Sequence, residues 1–482
     1  MAEIWNDSPA AGRPPKRHNH NRSGRVRQAA IGRAPCPAPA PALLMLKWYF
    51  CAALLLAGLL LTARPAAAYS VLTHQAHVDS SWTPCLLPLL QQRFPNATDD
   101  ELLEAKSYAY GGSILQDMGY YPMGSEFFTN LTHYVRSGDF VRHLLAEARN
   151  RNEYAFALGA LAHYTADLDG HPQGTNRAMP KVYPELKAKF GSPITYAQAP
   201  HQHTQLEFAF DVVQVASGRY RSSDYQRYIG FQVSKPLLER AFLKTYGLEL
   251  GQVVFNVDLA IGSFRFAVRN LIPLASRAAW QTQKKDIRKL SPRARRREYV
   301  YKESRREYEK RYGNTYEHPG FGARVLSYFI RVLPKIGPLK PFAFKVPTPK
   351  GEELFKASFR QALKDYCGLL KQQPRDSVAA VPPLPNRDFD TGKPTAPGEY
   401  ALTDETYGEW LHKLASKKFE YLTAAQKQEL LTFYRDPNLP ATDDDVAEGE
   451  KEDEQEAKKK RAQILEDLQA LRAAAPAEAV RP

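Results

Sequence analysis

Apolar and polar positions recur with a helical period through most of the middle of the chain. From Thr98 the segment DDELLEAKSYAYGGSILQ opens on acidic residues, then places Leu, Ala and Tyr at three- and four-residue intervals, the spacing of a buried helix face. DFVRHLLAEARNRNEYAFALGALAHYTADLDG continues the pattern over one long helix or two abutting ones, with Asp139 placed to cap the start. HTQLEFAFDVVQVASG, stopping at Gly218, then SKPLLERAFLKTYG and NVDLAIGSFRFAVRNLIPLASRAAWQTQ add further helices. Few runs alternate as strands do, so the expected fold class is all-α.

The ends of the chain read differently. Residues 45–68, MLKWYFCAALLLAGLLLTARPAAA, set a Lys before an apolar run and close on Ala66, Ala67 and Ala68, the layout of a secretory signal peptide. The run is short for a membrane span, and a retained anchor is the other reading. Residues 1–44 are rich in Pro, Ala and Arg without any period, a disordered leader that is not translated if Met45 is the true start. The mature chain would then begin at Tyr69, secreted or periplasmic. Residues 69–282 form the expected main domain. Residues 283–372 are a basic and Pro-broken apolar extension that ends in a helix, KGEELFKASFRQALKDYCGLLKQQ. A Pro-rich linker (373–400), an amphipathic helical segment (401–442) and a charged tail (443–482), either a solvated helix or disordered, complete the chain.

With 482 residues, 43% of them hydrophobic, there is room for one large core with additions. The net charge of +14 is concentrated partly in the leader and partly in QKKDIRKLSPRARRREYVYKESRREYEKRYG, between Gln283 and Gly313. Basic residues interleaved with Tyr attract anionic lipid or nucleic acid, and a solvated helix face is the plainer account. Loss of the leader and the signal peptide removes Cys36 and Cys51 and leaves Cys85 and Cys367. Export permits these two to pair, but the sequence leaves the pairing open.

The chemistry is carried by histidines and carboxylates at helical spacing. LAHYTADLDGHP puts His163, Asp167 and His171 at i, i+4 and i+8, close to one face of a helix. Two imidazoles and a carboxylate on an Ala- and Leu-rich helix are costly to bury unless paired or metal-bound, although a surface stripe would also give this pattern. PHQHTQLEFAFD repeats the motif with His203 and Glu207 at i, i+4. His201 competes with His203 but has no carboxylate one turn on. Asp117, in GGSILQDMGYYP, follows a helix, where a carboxylate can turn inward or stay in a loop. His133, in FFTNLTHYV, has aromatic neighbours and by itself would suit an ordinary core histidine. These residues and His74 form a set of oxygen and imidazole donors without Cys, which suits zinc; manganese and iron share those donor preferences.

Order, spacing and surroundings together resemble the zinc-dependent phospholipase C and S1/P1 nuclease superfamily, multi-helix phosphodiesterases with three zinc ions, over about Tyr69 to Trp280. The resemblance implies a metal-ligand set of Tyr69, through its α-amino group and carbonyl, with His74, Asp117, His133, His163, Asp167, His171, His203 and Glu207. Asp117, His133, His163 and Asp167 would take one zinc; Tyr69, His74 and Asp167 its bridged neighbour; His171, His203 and Glu207 the third. Tyr69 stands where the family usually has Trp, and Gln116 where it has Pro. The close spacing in HYTADLDGH and the segment THQAHVD are more like the glycosylphosphatidylinositol-specific phospholipase D branch. The implied function is an exported phospholipase C-type hydrolase. It would use a hydroxide bridging two zinc ions, with Asp117 orienting or deprotonating the attacking water. GYYPMGSEFF and VYPELKAKFGSPITY offer Tyr and Phe to acyl chains of a phospholipid, and the mature protein would touch an anionic membrane surface peripherally. The same aromatics would stack a base in a nuclease, which is the alternative that involves nucleic acid. A non-catalytic metal-binding envelope protein is the reading from a different class.

Overall fold

The computed structural model describes residues 70–121, 123–216, 230–268, 284–290, 344–373, 381–435 and 454–477. Tyr69, the leader, the signal-peptide segment and most of the basic run therefore lie outside the described residues. Among the described residues there is no β-strand, only an isolated bridge between Arg387 and Pro394, so the all-α expectation holds. No described helix is long and apolar enough to cross a membrane.

The helices that carry or frame the candidate site are α1 (Val71–Ser81), α2 (Leu87–Arg93), α3 (Asp99–Gly112), α4 (Glu126–Tyr134), α5 (Ser137–Glu147) and α6 (Arg151–Asp169). They continue with α7 (Asn176–Val182), α8 (Pro184–Phe190), α9 (Pro200–Ala216), α10 (Lys235–Tyr246), α11 (Leu250–Val253) and α12 (Val257–Phe266). In the C-terminal part come α13 (Pro349–Gln372), α14 (Ala401–Ser416), α15 (Ala424–Phe433) and α16 (Glu454–Ala473).

Local sequence explains the boundaries. Thr98 starts α3 with a capping box, its side chain accepting from the Glu101 amide while the Glu101 carboxylate accepts from the Thr98 amide. Asn150 caps α6 by accepting from the Glu153 amide, which divides the long periodic stretch into two helices. The expected capping role of Asp139 is not observed. Its carboxylate lies in the first turn of α5 and accepts from Arg136 at 2.7 Å and Arg142 at 3.0 Å, because the buried Arg136 guanidinium needs a counter-charge.

The central pair is α3 against α6. A Cβ on Gly112 would lie 2.0 Å from the carbonyl oxygen of Phe156, and one on Gly159 would lie 2.1 Å from that of Ala109. Only glycine lets the two backbones approach this closely. Around them Tyr110, Phe128, Phe140, Phe156 and Tyr246 build a core that runs without a break into Tyr366, Trp410, Leu414, Leu468 and Leu471. Each such side chain contributes roughly 1.5–3 kcal/mol by leaving water.

The C-terminal elements are thus part of the same core. Trp410 on α14 donates its indole N–H to the Tyr246 carbonyl at 2.8 Å. The charged tail, expected as a solvated helix or disorder, forms α16 over Glu454–Ala473 and buries Leu468 and Leu471, since one face of that charged sequence is apolar. In the segment read as a Pro-rich linker, residues 384–391 pack on α5 and α6. Tyr164 donates to the Pro385 carbonyl at 2.7 Å, and Ser137 to the Arg387 carbonyl at 2.6 Å. Cys85 and Cys367 form a disulfide, with Cα atoms 5.6 Å apart, that ties the turn after α1 to α13.

Candidate metal centre

Helix α6 supplies the axis of the site. His163 and Asp167 lie one turn apart on its buried face, with His163 Nε2 2.9 Å from Asp167 Oδ2. After Asp169 the helix widens into a π-helical turn, Gly170–Thr175, which carries His171 away from the face that His163 and Asp167 share. The stripe read from the sequence is therefore divided between two donor groups.

The first group gathers His74 from α1, Asp117 from the 3-10 turn Gln116–Tyr120 after α3, and His133 from α4. His74 Nε2 is 3.5 Å from Asp167 Oδ1 and 3.9 Å from Asp117 Oδ2. His133 Nε2 is 3.5 Å from Asp117 Oδ1 and 3.5 Å from Asp167 Oδ2. All five side chains are buried. Two overlapping trios, His74 with Asp117 and His163, and His133 with His163 and Asp167, bring their donor atoms within 4.8 Å of one another.

The second group is built on α9, with His171 approaching from the π turn. His203 Nδ1 is 2.7 Å from Glu207 Oε1 on the same helix, and the His171 and His203 rings stack with centroids 5.1 Å apart. His201 is exposed on the first turn of α9. The third carboxylate here is Asp390, from the 384–391 segment: His171, His203 and Asp390 place donor atoms within 4.8 Å of one another. Sequence reading missed Asp390, because neither helical spacing nor a nearby imidazole marks it in NRDFDTGK.

Ring orientation follows from hydrogen bonds. The His133 Nδ1–H donates to the Thr129 carbonyl at 2.9 Å, and the His163 Nδ1–H to the Ser113 carbonyl at 3.0 Å. A carbonyl only accepts, so in both neutral rings the lone pair sits on Nε2 and faces the carboxylates. His203 Nε2–H donates to Asn176 Oδ1 at 2.7 Å, leaving Nδ1 as the lone-pair nitrogen beside Glu207. Asn176 was missed as well, as was Asp211, one turn beyond Glu207 on α9. Asp211 accepts from the Leu72 amide at 2.9 Å and from the Thr73 hydroxyl at 2.5 Å, which pins the start of α1 and with it His74. The i+4 repeat His203, Glu207, Asp211 was the available signal for Asp211.

The electrostatics favour cations here. Burial, helped by the neighbouring His163, holds His74 well below the usual imidazole range. Burial and the adjacent His171 lower His203 to about 3. At His133 burial acts downward, but the adjoining carboxylates of Asp117 and Asp167, each 3.5 Å from Nε2, outweigh it and lift the group to about 10. A proton there stands where a positive charge is wanted. Burial and the charges of Asp167 and Asp117 push Glu207 well above the carboxylate range. Neither oxygen of Asp117, Asp167 or Glu207 accepts a hydrogen bond within the protein.

These residues fit zinc. Donors bound to one tetrahedral ion at about 2.0–2.1 Å lie roughly 3.3 Å apart, whereas an N–H to oxygen hydrogen bond prefers about 2.7–3.2 Å. The 3.5 Å separations of His74 from Asp167, and of His133 from Asp117 and Asp167, lie near the former spacing.

Residues 73–254 match the family model described as zinc dependent phospholipase C. No curated protein and no solved structure matches the chain. The matched span contains every sequence-predicted donor except Tyr69, and it leaves Asp390 outside.

Proposed function

Residues 73–254 belong to the zinc-dependent phospholipase C family, and from that premise we propose that the mature chain is an exported zinc-dependent phosphodiesterase of phospholipase C type. The observation that carries the reading is the convergence of buried imidazole and carboxylate donors within 4.8 Å in separate groups. His74, Asp117, His133, His163 and Asp167, with the Tyr69 amino terminus, would hold two neighbouring ions, and His171, His203 and Glu207 would hold a third. Bound zinc would supply Lewis acidity toward the phosphate oxygens and bring the pKa of a nearby water toward neutrality.

The chain's own contributions follow from the geometry. Asp117 has both oxygens clear of hydrogen bonds and sits between His74 and His133, so it is the group to orient a water and take its proton. Thr129, Ser113 and Asn176 fix three imidazoles in the ligating tautomer, so no ring has to turn when the ions bind. The half-buried rings of Tyr120 and Tyr196 stand 6.2 Å from His133 and 5.7 Å from His203, an aromatic flank for the apolar part of a phospholipid. The Cys85–Cys367 disulfide supports export, since such bonds persist in oxidising compartments. The basic run from Gln283 to Gly313 supports peripheral contact with anionic membrane surfaces.

Metal content and N-terminal sequence of the exported protein, followed by hydrolysis assays with and without chelator, test this directly. Zinc on a chain starting at Tyr69, with phospholipid cleavage abolished by chelator, is the expected result. Cleavage of single-stranded nucleic acid alone would move the chain to the nuclease branch. A zinc-loaded protein inert toward both would favour the non-catalytic binding role, and a metal-free protein would remove the basis of the proposal.

A further inference from the structure

The donor group around His171 and His203 is completed by Asp390, which lies outside both the family-matched residues 73–254 and the expected main domain. We propose that Asp390 is a direct ligand of the third ion, so that the metal centre is closed by the C-terminal extension; this rests on the zinc reading of the preceding subsection.

The geometry around the carboxylate is that of a held ligand. Asp390 is 1% exposed. Its Oδ2 accepts from the Tyr400 hydroxyl and, at 3.1 Å, from the Tyr196 amide, which also reaches Oδ1 at 3.4 Å; these bonds orient the group with Oδ1 toward His171. Oδ1 lies 3.2 Å from His171 Nδ1, yet that nitrogen makes no hydrogen bond. The two atoms are close without the alignment of donor and acceptor, as expected of two donors aimed at one point between them.

The backbone of the loop serves the same group. The carbonyl of residue 390 accepts from Asn176 Nδ2 at 2.7 Å, and the Oδ1 of that same amide takes the Nε2–H of His203. One asparagine therefore couples the position of the loop to the tautomer of a ligand. The loop itself is rigid by construction. Asp388 accepts from the Asp390 and Thr391 amides at 2.8 and 3.2 Å, and the Phe389 amide donates to the His133 carbonyl at 3.3 Å. The Phe389 ring lies 5.1 Å from that of His133, so the loop touches both donor groups. It follows that a family domain cut back to residues 73–254 would lack a donor that the full chain has.

The test uses the full mature chain with Asp390→Asn, which keeps the shape of the side chain, and Asp390→Ala. Glu399→Gln, a surface change in the same segment where Glu399 pairs with Lys393, is the control. Zinc is counted after gel filtration, and the cobalt-substituted proteins are compared by visible absorption. The expected result is loss of about one zinc equivalent in both Asp390 variants, with an altered cobalt spectrum and an unchanged control. If the alanine variant does not fold, the asparagine variant decides, with near-ultraviolet circular dichroism establishing its native packing. Full zinc content and a wild-type cobalt spectrum in Asp390→Asn would overturn the ligand role, and reduced activity with both unchanged would make Asp390 a positioning residue acting through His171. Wild-type protein without zinc would overturn the parent reading instead, and this one with it.

Discussion

Asp167 meets three imbalances at once: it is fully buried, it faces His74, His133 and His163, and neither oxygen has a hydrogen bond. Replacing it with Asn keeps the shape but removes the charge that cations would neutralise. Asp167→Asn is expected to lower zinc content and to reduce phosphodiester hydrolysis by more than about 100-fold, read by metal analysis and steady-state kinetics. A second prediction concerns His143, away from the donors. Its Nε2 accepts from Arg142 at 3.1 Å, its Nδ1–H donates to Thr245 at 2.8 Å, and burial together with the nearby arginines lowers it to about 3. The unfolded chain binds that proton below about 6.5, and the native one only near 3, so acid favours unfolding through this group. His143→Gln is expected to cost stability at neutral pH, and its melting temperature should approach or exceed that of wild type as the pH falls from about 7 to about 4. A constant difference across that range would show that His143 does not titrate on unfolding.

Among the elements, the loop 384–391 depends on a gap in α5. A Cβ on Gly138 would come within 2.4 Å of the carbonyl oxygens of both Leu384 and Pro385, and neither backbone can yield without breaking the bonds from Tyr164 and Ser137. Gly138→Ala is expected to destabilise the protein by about 1–3 kcal/mol in urea unfolding. It should also weaken retention of zinc, because the loop carries Asp390. The helices themselves were largely legible in the sequence: α3, α6, α9 and α13 arise from periodic apolar faces with local caps. The π turn after Asp169 was not legible, since an i to i+5 widening leaves no periodic trace in a six-residue stretch.

At the scale of the whole molecule, the disulfide joins positions 282 residues apart, and with α13 to α16 it holds the extension to the main core. Replacing Cys85 and Cys367 together by Ser is expected to lower stability by about 2–5 kcal/mol, measured by urea unfolding, while zinc content at native conditions stays unchanged. Loss of zinc in the folded double variant would mean that the covalent tie also shapes the donor groups.

The sequence by itself determined the helical class and the pairing of imidazole with carboxylate along single helices, because both depend on short-range spacing. His163 and Asp167, and His203 and Glu207, are four residues apart in the chain and one turn apart in space whatever surrounds them. Tertiary structure decided which donors share a group and what completes it. Asp390 reaches His171 because Tyr164, Ser137, Gly138 and Asn176 hold a segment more than two hundred residues distant in sequence. Such an arrangement is fixed by close packing and by satisfying buried polar groups, and neither writes a period into the chain.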